Sequence, residues 1–189
     1  MILPTVASGF PLKQVRRSFK YREEIPLPAN VLWRIETGAV RTLTWNQNKT
    51  LITTGFWGLG DIVGQPLSRI KPYRIECLTK VEASIIPEEQ WYQKFDAVLS
   101  HVQQTEEFMS ILQCQLVRQR LVQLLIWLSQ KFGRETDRGR SIELKLTHQD
   151  LADVIHTTRV TVTRLLNLFE REKFIARHQR HLILLSDQL

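Results

Sequence analysis

Arg159 and Arg164 stand five residues apart in the run Thr158, Arg159, Val160, Thr161, Val162, Thr163, Arg164, a pattern of guanidinium and hydroxyl groups suited to reading a polyanion. A guanidinium presents its N–H donors in a fixed fork, so one arginine can give two parallel hydrogen bonds to guanine in the DNA major groove. Thr158 and Thr161 suit a helix cap and backbone contacts, and Thr163 suits a phosphate. Five residues of helix rotate Arg164 by about 140° from Arg159, so it must reach another base or a nearby phosphate. Val160 cannot accept a hydrogen bond, but its methyls can pack on the methyl of thymine. The expected half-site therefore runs guanine, then thymine.

These side chains need a helix that opens at Thr158 and buries its other face. Val162, Leu165, Leu166 and Phe169 supply the buried stripe at i, i+3, i+4 and i+7, opposite Arg159, Val160, Thr163, Arg164 and Asn167. A shorter helix precedes it. Thr147 and Asp150 have capping-box spacing, and Leu151, Ala152 and Ile155 share a face. His156, Thr157 and Thr158 interrupt the pattern, giving a helix-turn-helix. Helix pairs also occur as plain structural cores, so periodicity alone leaves that reading open. Residues 174–185 then alternate as a hairpin with Arg177, His178, Arg180 and His181 near its tip, similar to the wing of a winged helix-turn-helix.

Upstream, the β-branched and aromatic runs 31–35, 39–45 and 49–54 read as strands, with a turn at Asn46, Gln47 and Asn48. Gly58, Gly60, Asp61 and Gly64 punctuate the next segment, where tight turns call for glycine. A short helix should open at Glu88, followed by one long helix over residues 101–132, about 45 Å at 1.5 Å per residue. That excess length suits a dimer seam, with Phe108, Leu112, Leu116, Leu121, Leu124 and Leu128 as its contacts. The expected units are 1–100 (sensor-like β domain), 101–132 (dimerisation helix), 133–140 (interdomain loop) and 141–189 (DNA-binding domain).

The charge agrees: 26 Lys and Arg against 19 Asp and Glu give +7, which favours polyanionic partners, whether DNA, RNA or an acidic membrane surface. Two cysteines, Cys77 and Cys114, lack metal-ligand spacing, and no metal site is expected. No apolar run reaches the roughly 20 residues of a membrane span, and a cytoplasmic, nucleoid-associated protein is expected. His101, His148, His156, His178 and His181 are scattered, with no nucleophile elbow or phosphate-cradling loop, so catalytic residues are absent and an enzyme is not expected.

The segment 146–175 resembles the DNA-binding domain of the Crp/Fnr family of bacterial transcription regulators, and its run 158–166 is similar to that of the cyanobacterial nitrogen regulators in that family. The Gly58-to-Gly64 pattern is similar to the family's β-roll turns. The resemblance implies an α+β fold: an N-terminal cyclic-nucleotide-binding-like β-roll (jelly roll), a long dimerisation helix and a C-terminal winged helix-turn-helix. It implies a homodimer on a two-fold symmetric operator in double-stranded DNA, with Arg159 on guanine, and RNA polymerase as a further partner if the protein activates. Many members carry glutamate where this chain has Val160, which sets its site apart from that of the cyclic-AMP regulators. Some relatives hold an iron–sulfur cluster through four cysteines, which this chain lacks.

The family's cyclic-nucleotide sites use a glycine-glutamate pair and an arginine-serine pair. Here Gly64 is followed by Gln65, and residues 70–76 lack the arginine-serine run, so cyclic AMP is not expected. The candidate effector residues are Gly64, Gln65, Arg69, Lys71 and Arg74, the three cations of which can pair with an anion such as 2-oxoglutarate or form a solvated basic loop. The first strand of the roll is expected to be short or missing. An effector-independent regulator, and a protein-interaction module whose roll docks a partner, stay open.

Overall fold

The computed structural model describes residues 15–178 and 181–185. Seven strands build the N-terminal half: β1 (Arg16–Phe19), β2 (Val31–Thr37), β3 (Val40–Trp45), β4 (Leu51–Trp57), β5 (Ile62–Val63), β6 (Arg74–Cys77) and β7 (Val81–Pro87). They form two antiparallel sheets, ordered β1-β7-β2-β5 and β4-β3-β6. Inward-facing Trp33, Ile35, Val40, Trp57, Ile75 and Val81 fill the space between them and are almost wholly removed from water. The β3–β4 hairpin turns at Asn46, whose side chain accepts from the Thr50 backbone N–H at 3.0 Å. Gly60 turns the chain before β5 with a φ of 85°, a conformation in which other residues are strained.

After a 3-10 segment at Glu88–Lys94, the helical stretch departs from the expected single rod. It starts earlier, as α1 (Phe95–Leu112), breaks over residues 113–116, and resumes as α2 (Val117–Phe132). Leu116 is extended (φ −87°, ψ 125°), so the helical hydrogen-bond ladder does not run through from α1 to α2. Neither proline nor glycine marks the break. Burial decides it, since Leu121, Leu124, Leu125 and Leu128 are fully enclosed in the core that α2 shares with the C-terminal half. Each such side chain contributes about 1.5–3 kcal/mol on leaving water, far more than a few helical hydrogen bonds gain by continuity.

The nominated seam changes accordingly. Phe108, Leu121, Leu124 and Leu128 lie inside one chain's own core, so they cannot face a second copy; Leu112 is half-buried, and of the six only Leu116 is exposed. The exposed apolar positions of α1 are instead Phe95, Leu99, Val102 and Met109.

Residues 133–140 are not a loop. They belong to a hairpin of β8 (Gly133–Thr136) and β9 (Gly139–Ile142). There follow α3 (His148–Val154), α4 (Arg159–Arg171), β10 (Ile175–His178) and β11 (His181–Leu185). The sheet order β10-β11-β9-β8 joins the expected wing hairpin to the new one.

Candidate nucleic-acid interface

The local chemistry of the helix pair is that of its caps. The Thr147 hydroxyl accepts from the Asp150 backbone N–H at 3.0 Å, and the Asp150 carboxylate accepts from the Thr147 N–H at 2.8 Å, completing a capping box. His156, in the left-handed region at φ 52°, ends the first helix. Thr158 caps α4 by accepting from the Thr161 N–H at 3.1 Å. Val162, Leu166 and Phe169 have no exposed surface, with Leu165 partly buried beside them.

With that face fixed, Arg159, Val160, Arg164 and Asn167 stand in solvent on the opposite one. Val160 is 77 % exposed, a cost for an aliphatic side chain that nothing within the chain offsets. Among the described residues neither Arg159 nor Arg164 has an ion-pair or side-chain hydrogen-bond partner, so both guanidinium forks are available. Together with Thr163, Asn167 and Arg171 they line one open depression along α4. Thr161 shares a hydrogen bond with the Thr158 hydroxyl. Thr163 is less free than its type suggests: its hydroxyl donates to the Arg159 carbonyl at 2.9 Å and meets His148 Nδ1 at 2.8 Å. Since that hydroxyl proton is committed, Nδ1 is the donor. Burial, then the charges of Arg177 and Arg159, hold the His148 pKa below its ordinary value.

Arg177 is tied to α4, donating to Asn167 Oδ1 at 2.9 Å and pairing with Glu170 at 3.3 Å. Asn167, absent from the expected contacts as a site residue, thereby ties α4 to β10. Arg180 lies outside the described residues.

A second feature was invisible to sequence reasoning. Asp150, beyond capping α3, receives Arg41 Nη1 at 2.9 Å and Arg22 Nη2 at 3.1 Å, both from the β-roll half. Glu76 completes the cluster, at 2.6 Å from Arg41 and 3.0 Å from Arg22. Burial opposes the Asp150 charge, but the Thr147 hydrogen bonds and the charges of Arg41 and Arg22 outweigh it and hold its carboxyl below the usual range. No local pattern links positions 22, 41 and 150.

The expected effector residues do not converge. Gly64 is buried; Gln65 donates to the Ser68 carbonyl at 2.8 Å; Arg69 and Lys71 are exposed; Arg74 pairs with Glu24 at 2.9 Å and lies over the Trp45 ring. None of the five lines the cavity that the roll forms against α1. Among the described residues no group of His, Cys, Asp and Glu could hold a metal ion, and no helix is long and apolar enough to cross a membrane.

Comparison with known proteins bears on this geometry. The Crp-like helix-turn-helix domain matches residues 119–188, a span that begins inside α2 and so groups α2 with the DNA-binding half. The chain is 38 % identical over 165 residues to the regulatory protein CysR of Synechococcus elongatus, covering 86 % of this chain and 80 % of that protein. It is 41 % identical over 83 residues to the global nitrogen regulator of the same organism, covering 44 % and 37 %. In fold it is similar to a CRP-family transcriptional regulator from Thermus thermophilus, with a TM-score of 0.77 at 23 % identity over 90 % of this chain and 92 % of that one.

Proposed function

This chain belongs to the Crp/Fnr family of DNA-binding transcription regulators, which are not enzymes, and on that premise we propose that it binds a two-fold symmetric operator as a homodimer. The observation that carries this reading is the face of α4, where two guanidinium groups without partners among the described residues and an exposed valine stand on a helix locked by its buried side. Arg159 reads guanine, Val160 packs on the adjoining thymine, and Arg164 takes a second base or a phosphate. Thr158 and Thr161 set the start of the helix, and Thr163 steadies it through His148. Arg177 and Arg180 meet the flanking phosphates. The protein acts in the cytoplasm, on the nucleoid, and meets RNA polymerase where it activates.

Self-association runs along α1. Phe95, Leu99, Val102 and Met109 repeat at intervals of 4, 3 and 7, the heptad spacing of a two-helix seam, and all are exposed. An anionic effector gains no support from Arg69, Lys71 and Arg74, which stay outside the roll's cavity.

Selection of bound duplexes from a random pool, at stated salt, tests the reading. A symmetric motif with guanine-thymine in each half-site, lost in Arg159→Ala, is the expected result. Recovery of no motif, with binding that only tracks salt, would sink it.

A further inference from the structure

We infer that His148 is a further DNA contact, made to a backbone phosphate through Nε2, and that the ring takes up a proton from solvent when DNA binds. The inference deepens the regulator reading above and rests on it.

His148 opens α3 and reaches across to α4, where its Nδ1 lies 2.8 Å from the Thr163 hydroxyl. That hydroxyl spends its own proton on the Arg159 carbonyl at 2.9 Å, so Nδ1 is the donor. A neutral imidazole carries one N–H, which leaves Nε2 as a bare acceptor. Nε2 points away from Thr163, has no partner among the described residues and is not sealed from water. Thr163 itself lines the depression along α4 with Arg159 and Arg164, so the ring sits beside the cations offered to DNA. The first helix of a helix-turn-helix crosses the phosphate backbone while the second enters the groove.

A phosphate oxygen accepts and does not donate, so the neutral ring would meet it lone pair to lone pair. The imidazolium, protonated on both nitrogens, holds Thr163 and a phosphate at once. The other neutral tautomer would also present an N–H to the phosphate, but only by turning the Thr163 hydroxyl off the Arg159 carbonyl.

The charges around the ring favour proton uptake only once DNA is present. In the free protein, burial and then Arg177 of β10 and Arg159 of α4 hold the His148 pKa below its ordinary value. The carboxylates of α3 and α4 are engaged elsewhere: Asp150 with its cap, Arg22 and Arg41, Asp153 with Gln149, and Glu170 with Arg177. Phosphates drawn to Arg159 and Arg177 cancel their repulsion of a proton and attract it themselves, so the bound-state pKa lies above the free one. Affinity therefore increases as pH falls through the bound-state pKa and levels off below the free-state one. At its steepest the change is about tenfold per pH unit for each proton taken up.

The test follows the His148 ring of the full chain by NMR through a pH titration, with and without a mixed-sequence DNA duplex at low salt. Any sequence serves, because phosphates carry the contact. His148 should titrate at higher pH in the complex, and duplex affinity should rise by at least about threefold from pH 7.5 to 6.0. His148→Gln keeps a donor for Thr163 but takes no charge, and should lose that rise. His148→Arg, always charged, should bind tightly at both pH values. A His148 titration that DNA leaves unchanged, a neutral ring bound as the other tautomer, or a rise that persists in His148→Gln would each overturn the inference. The titration on the unsubstituted chain decides the matter even where a variant fails to fold. A raised His148 titration with no motif in the duplex selection would count against the sequence-specific reading alone, and no binding to any duplex would remove both.

Discussion

On α4 the guanidinium groups of Arg159 and Arg164 stand in water without partners among the described residues, whereas Arg41 and Arg22 of the roll are spent on Asp150 and Glu76, and Lys131 of α2 on Asp61. The contrast follows from solvation. An exposed cation keeps its hydration at little cost and releases it only when a phosphate or base edge arrives, while a buried cation must be neutralised on the spot. The same chain thus leaves cations exposed on α4 while no lysine or arginine lines the cavity between the roll and α1. The charges inside the fold hold its two halves together.

The largest break in this picture comes at the seam. Leu99→Glu combined with Val102→Glu places like charges along α1, and sedimentation should show a monomer. Operator affinity should then fall by about a thousandfold, toward the level of non-specific binding. A dimer that persists would place the seam elsewhere.

Next is the buried network. Asp150→Ala strips Arg41, whose side chain is 4 % exposed, of its carboxylate partner on α3 and should cost about 3–5 kcal/mol in urea unfolding. Arg22→Ala, at 33 % side-chain exposure, should cost clearly less. Equal losses would mean that the pairing of Arg22, rather than the cap of α3 or the buried Arg41, carries the effect.

Arg159→Ala should lose about 1–3 kcal/mol at the operator and relax the choice of guanine, read by competition among single-base variants. If Arg164 meets a phosphate, Arg164→Ala should weaken all sequences alike and lower the salt slope by about one. A change confined to one base would assign it to base reading instead.

The smallest effect is on pH. Burial first of all depresses the His101 pKa, so the folded state favours the neutral ring while the unfolded chain takes up the proton more readily. Stability is then fully present above the ordinary histidine value near 6.5 and declines as pH falls below it. Comparing Tm at pH 7.5 and 5.5 should show that decline, reduced in His101→Gln. An unchanged decline would trace it to other groups, His148 first.

Much of the candidate site on α4 was legible because it is local. Thr147 and Asp150 as a capping box, Thr158 as the cap of α4, and the apolar stripe opposite Arg159 all lie within one or two turns of each other. Strands β2, β3 and β4, with the turn at Asn46, were legible for the same reason. The helix break at 113–116 was not, since Gln113, Cys114 and Gln115 carry no breaker and the apolar period runs on through Leu116. The hairpin β8–β9 was hidden by a polar, glycine-flanked composition that reads equally as a loop.

The sequence by itself determined the caps, the periods, the arginines at the start of α4 and the family to which they belong, because each depends on residues within a few positions. Tertiary structure alone decided which leucines face the core and which helix face is left for a second copy. It also decided that Asp150 is held by Arg22 and Arg41, and that the roll's cavity contains no cation. Those outcomes depend on burial, and burial is set by segments that the fold brings together from opposite ends of the chain.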